Sequence, residues 1–120
     1  GPANPTFQAG LVVVGGKRLG EMDDLKATVA SLVESLQPDR VVLCPSAAGE
    51  APIDLLVIKD TRLGFLARRQ EALGFLPVGS QVEVLVYTPI ELEEMCRQEN
   101  PFVIRALEQG KELYRRPPLA

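Results

Sequence analysis

Ile53-Asp54-Leu55-Leu56-Val57-Ile58 and Val82-Glu83-Val84-Leu85-Val86-Tyr87 decide the reading of this chain. Each is a short run of β-branched and leucine side chains of strand length, and each carries one acid at its second position. A carboxylate in such a run is costly to bury unless its charge is compensated. Two acids on two strands therefore suggest a shared compensator, and a divalent cation held by oxygen ligands suits that role. The near-continuous apolarity of both runs predicts strands covered by helices on their faces.

Working outward, the connections set the topology. Arg40 to Cys44 is a further short apolar strand, and the small-residue loop from Pro45 to Pro52 is too short for a parallel crossover, so strands 40–44 and 53–58 are expected to be antiparallel neighbours. Between strands 53–58 and 81–87 the chain has room for a helix, capped by Asp60 or Thr61 and running to about Phe75. Leu63, Leu66, Ala67 and Leu73 form its expected buried side. A helical crossover makes that strand pair parallel. The expected fold is therefore α/β (α+β): a mixed sheet of three to four strands flanked by helices, with strand 53–58 between the other two and Leu32, Val42, Leu56 and Leu85 in its core.

Upstream, Leu25, Val29, Leu32, Val33 and Leu36 follow helical spacing from about Glu21 to Gln37, with Pro38 just past the end. Downstream, Thr88-Pro89-Ile90-Glu91 reads as a capping box with proline at the first helical position, Asn100-Pro101 opens another helix in the same way, and Gly110 stops it. Residues 1–20 read as an arm in which Leu11 to Val14 forms a possible edge strand, residues 21–116 as the domain, and 117–120 as a tail that frays from about Tyr114.

Composition narrows the function classes. The chain has 120 residues, 46% hydrophobic and 24% charged, enough apolar material for one core. A net charge of −3 and a pI near 5.0 give no strong nucleic-acid signal and no pull to an anionic membrane. No apolar run reaches bilayer length and no signal pattern opens the sequence, so a cytoplasmic protein is expected. The sequence holds no histidine, which excludes Ser-His and Cys-His catalysis, and its two cysteines make a poor zinc site. Cys44 and Cys96 are expected to be free buried thiols.

The order of these pieces carries a resemblance. A helix, a strand ending in a serine loop, Ile53-Asp54-Leu55-Leu56-Val57, a helix, Val82-Glu83-Val84-Leu85-Val86-Tyr87-Thr88-Pro89 and a helical pair closing on Gly110-Lys111-Glu112-Leu113-Tyr114 resemble the minimal nucleotidyltransferase domain of the DNA-polymerase-β-like superfamily. The resemblance spans roughly residues 23–116. In that family a Gly-Ser loop holds nucleotide phosphates, and an Asp-x-Asp pair with a third acid on the next strand holds two magnesium ions, because phosphoryl-type transfer is mostly positioning and charge neutralisation.

Carried across, the second acid is Asp54, the third is Glu83, and Ser46 with Gly49 faces the phosphates. Two positions depart from the pattern. Pro45 stands where the glycine belongs and has no amide hydrogen to offer, and Pro52 stands where the first acid belongs. Glu50, in the same shortened loop, is the one candidate substitute as a metal ligand.

The resemblance thus implies a degraded site that binds magnesium weakly at most. It also implies a non-catalytic nucleotide-binding or protein-interaction module, with a small helical protein of the toxin–antitoxin kind or a second copy as partner. The alternative is a magnesium-dependent transferase of nucleoside monophosphates to a protein or small-molecule hydroxyl. Independently of the resemblance, Asp54 also reads as a strand-entry acid satisfied by loop amides, and Glu83 as paired with Arg40 or solvated. Lys59, Arg62, Arg68 and Arg69 read as a solvated helix face, with phosphates or an acidic partner as the alternative.

Overall fold

The computed structural model describes residues 19–45, 53–77 and 79–118. Their order is α1 (Leu19–Leu36), β1 (Arg40–Leu43), β2 (Ile53–Ile58), α2 (Phe65–Leu73), β3 (Val82–Tyr87), α3 (Pro89–Arg97), α4 (Pro101–Gln109) and β4 (Lys111–Arg115). The four strands form one mixed sheet in the order β3-β2-β1-β4, so the fold is α+β. The short connection makes β1 and β2 antiparallel, and the helical crossover makes β2 and β3 parallel. β2 therefore lies between β1 and β3, as the connection lengths require. Leu11 to Val14 lies outside the described residues.

Strand alternation sends successive side chains to two cores. Leu55 and Val57 of β2, Val84 and Val86 of β3 and Val41 of β1 meet Leu25, Leu32 and Leu36 of α1 and Ala72 of α2. On the opposite face Leu56, Ile58, Val42 and Cys44 pack with Ala106 of α4, and Leu85, Tyr87 and Leu92 close the cluster at its edge. Covered faces on both sides explain why β2 needs apolar residues at consecutive positions. Of the expected core, Leu32, Val42 and Leu56 are buried, while Leu85 is only half-buried.

The helix ends follow local chemistry. α1 stops where Gln37 takes a left-handed φ of 55° and Pro38 follows. α3 carries the expected capping box, with Thr88 Oγ1 accepting from the Glu91 amide at 3.1 Å and Glu91 Oε1 accepting from the Thr88 amide at 2.9 Å. Asn100 caps α4 by accepting from the Val103 amide. At the other end of α4, Gly110 has ordinary extended backbone. A Cβ there would lie 2.3 Å from the Ala106 carbonyl oxygen and 2.7 Å from that of Leu43. Glycine is needed for close approach rather than for a left-handed turn.

Two expectations are corrected. α2 begins at Phe65 rather than at Asp60 or Thr61, because the Thr61 hydroxyl is taken up in a local turn, accepting from the Leu63 amide at 3.2 Å. Its phase differs as well: Arg68 and Ala72 are the buried positions, Leu73 is half-buried, Ala67 is exposed, and Leu63 and Leu66 are 41% and 70% exposed. The second correction is the frayed tail. Lys111 to Arg115 form β4, antiparallel to β1, with Tyr114 opposite Val41 and an irregular register between Val41 and Val42. Leu113 and Tyr114 pack against the α1-side core, and the Arg116 amide donates to the Asp39 carbonyl at 2.8 Å.

Candidate functional site

Parallel pairing in register places Asp54 directly opposite Glu83. Both residues follow the phase of Leu56 and Leu85, so both carboxylates belong to the sheet face covered by α4. Cys44 adjoins them on the other side, its amide donating to the Asp54 carbonyl at 2.9 Å. The result is a row across three strands: thiol, carboxyl, carboxyl.

Electrostatics run against ionisation at Asp54 and Cys44. Burial, followed by the neighbouring charge of Glu83, raises the Asp54 carboxyl above its ordinary value. Burial pushes the Cys44 thiol up to about 11, with the Asp54 charge adding to it and a backbone hydrogen bond from Leu56 opposing it. A thiol held protonated in this way is no nucleophile near neutral pH. Cys44 and Cys96 are both free, Cys44 buried and Cys96 half-buried.

Glu83 has found a counter-charge within the chain. Its Oε1 accepts a hydrogen bond from Arg69 Nη2, reaching across from α2. Sequence reasoning placed Arg69 in a solvated basic face, with phosphates or an acidic partner as the alternative, and did not pair it with Glu83. Arg40, weighed as Glu83's partner, instead donates through Nε to Glu112 of β4 at 2.9 Å. The basic run that reads as a solvated face is largely engaged: Lys59 lies 3.8 Å from Glu71, and Arg68 is buried against Glu91. The sequence does carry a signal for Arg69, an arginine four residues after Phe65 at the start of α2. It becomes readable only once the phase of the helix is known.

Of the other candidates, Ser46, Gly49 and Glu50 lie outside the described residues, as does Pro52. Pro45 is described and half-buried, lining with Cys44, Phe102 and Arg105 a cavity of about 230 Å³ between the end of β1 and the start of α4. Among the described residues, no three His, Cys, Asp or Glu side chains are grouped to hold a metal ion. The donor set that magnesium would need is therefore not met by them: Asp54 stands alone beside a Glu83 already paired with arginine. Also among the described residues, no helix is long and apolar enough to cross a membrane.

No protein-family model matches the chain, and no curated protein or solved structure matches it either.

Proposed function

We propose that this chain is a nucleotidyltransferase-fold module whose metal and phosphate site is degraded, and that it works by binding a nucleotide weakly or a protein partner rather than by transferring nucleotides. The observation that carries this reading is the engagement of Glu83, the third acid of the resemblance, by Arg69. The position of the first acid is Pro52, which supplies no ligand atom on its side chain. Losing a charge-holding ligand of such a clamp removes several kcal/mol of transition-state stabilisation. The partner that accompanies this reading is a small helical protein, as in toxin–antitoxin pairs, or a second copy.

The alternative is magnesium-dependent transfer of a nucleoside monophosphate to a hydroxyl. The in-register pairing of Asp54 and Glu83 on one face is what favours it. Incubation with labelled ATP, CTP, GTP and UTP and with magnesium or manganese separates the two, run beside Asp54→Ala and Glu83→Ala. The non-catalytic reading expects no labelling of the protein or of simple acceptors. Robust labelling by the parent that both variants abolish would refute it and move Glu50 to the place of a third ligand.

A further inference from the structure

The two acids were expected to share a compensator, and the described residues do not make a cation site. We infer that Arg69 compensates Glu83 and leaves Asp54 without a counter-charge: its guanidinium occupies the Glu83 carboxylate oxygen that a divalent ion would need, so a shared cation site is closed by a counter-ion built into the chain. Arg69 is well suited to this. It belongs to α2, the crossover helix that joins the two acid-bearing strands, so the order of elements that makes β2 and β3 parallel also brings the arginine to Glu83 of β3. A guanidinium is a planar donor group of the kind that suits a carboxylate.

The neighbouring arginine anchors the helix that presents it. Arg68 donates from Nε to the Leu63 carbonyl at 2.7 Å and from Nη1 to the Val86 carbonyl at 3.3 Å. With Arg68 buried in this way, α2 cannot roll about its axis without breaking those bonds, and Arg69 stays directed at β3. The guanidinium acts on a cation in two ways. It takes an oxygen that a ligand set would need, and it repels a dication a few ångström away. In a water-like dielectric that repulsion is about tenfold in affinity.

This deepens the non-catalytic reading of the site, and its test contains no nucleotide, so its failure is separate from any appearance of nucleotidyl transfer. Manganese is titrated calorimetrically into the full chain, into Arg69→Gln and into the double variant Arg69→Gln/Glu83→Gln. Arg69→Gln is expected to bind manganese at least about tenfold more tightly than the parent, and the double variant to lose the gain. Equal affinity of parent and Arg69→Gln, whether weak or tight, overturns the inference, as does a gain that survives loss of Glu83. A measurement on the parent alone guards against a variant that fails to fold. The amide resonances of Asp54 and Glu83 are expected to survive added manganese, and their selective paramagnetic broadening overturns the inference.

Discussion

Arg68 grips Glu91 with both arms of its guanidinium, Nη1 to Oε1 at 2.6 Å and Nη2 to Oε2 at 3.1 Å. Through its bonds to the Leu63 and Val86 carbonyls, this one side chain ties α2, β3 and α3 together. Arg68→Ala removes its donors from the Leu63 and Val86 carbonyls and leaves Glu91 with only its bond from the Thr88 amide. It is expected to destabilise the fold by about 2–4 kcal/mol, somewhat under the roughly 3–5 kcal/mol of a fully buried pair because the Glu91 side chain is 43% exposed. The Arg68 hydrogen bond is the main cause holding the Glu91 carboxyl below its ordinary value. Its stabilisation is therefore present above the ordinary value of 4.5 and is lost as pH falls through the lower, folded one. The difference in urea midpoint between parent and variant should be largest at neutral pH and narrow in strong acid without closing, because the bonds to the Leu63 and Val86 carbonyls do not titrate.

Asp54 has the opposite sign. Its raised folded value means that ionisation is penalised in the native state, a cost complete above that value and gone below the ordinary 3.8. Asp54→Asn is expected to melt at a higher temperature than the parent at neutral pH, with the gap closing between the raised value and 3.8. Melting curves at stepped pH check this, and a variant less stable than the parent at pH 7 contradicts the electrostatic account of the row.

Leucine truncations distinguish the two strand-and-helix phases. Leu56 has no exposed surface, so Leu56→Ala should cost about 2–5 kcal/mol in denaturant unfolding. Leu66→Ala should fall within about 0.5 kcal/mol of the parent, since its side chain is already in water. Equal costs at the two sites would restore the helix phase that apolar spacing alone suggests.

Gly110→Ala tests close approach. With Ala106 and Leu43 carbonyl oxygens and a Val42 methyl at 2.9 Å around the new Cβ, backbone must shift to admit it. A loss of about 1–3 kcal/mol is expected, as for an overpacked core. A stabilised variant would show that α4 and β1 can separate freely at this point.

The contrast between what was and was not legible is physical. β2 and β3 announce themselves because strands covered on both faces need unbroken apolar runs, and Thr88 and Asn100 announce α3 and α4 because a cap is a contact between near neighbours. Asp54 and Glu83 were legible as a pair since register follows from topology. α2 was not: its exposed Leu63 and Leu66 mimic a buried stripe, while the buried position belongs to Arg68, whose partners lie on other elements. The pairing of Arg69 with Glu83 was hidden for the same reason. β4 was hidden by its own charges, for Lys111, Glu112 and Arg115 are what an edge strand carries to discourage pairing with other chains.

The place of β4 also sets a timetable. β1 is made before β2 and β3, yet its outer edge is filled only by residues 111–115, and the Arg40–Glu112 contact joins positions 72 apart in sequence. On a translating ribosome, where chains fold from the N-terminal side, β1, β2 and β3 can pair while Val41 and Val42 still present bare amides and carbonyls along that edge. Emergence of β4 is then the step that closes this edge, and a chain stalled short of Lys111 displays an open apolar edge to whatever chaperone or nascent neighbour stands nearest.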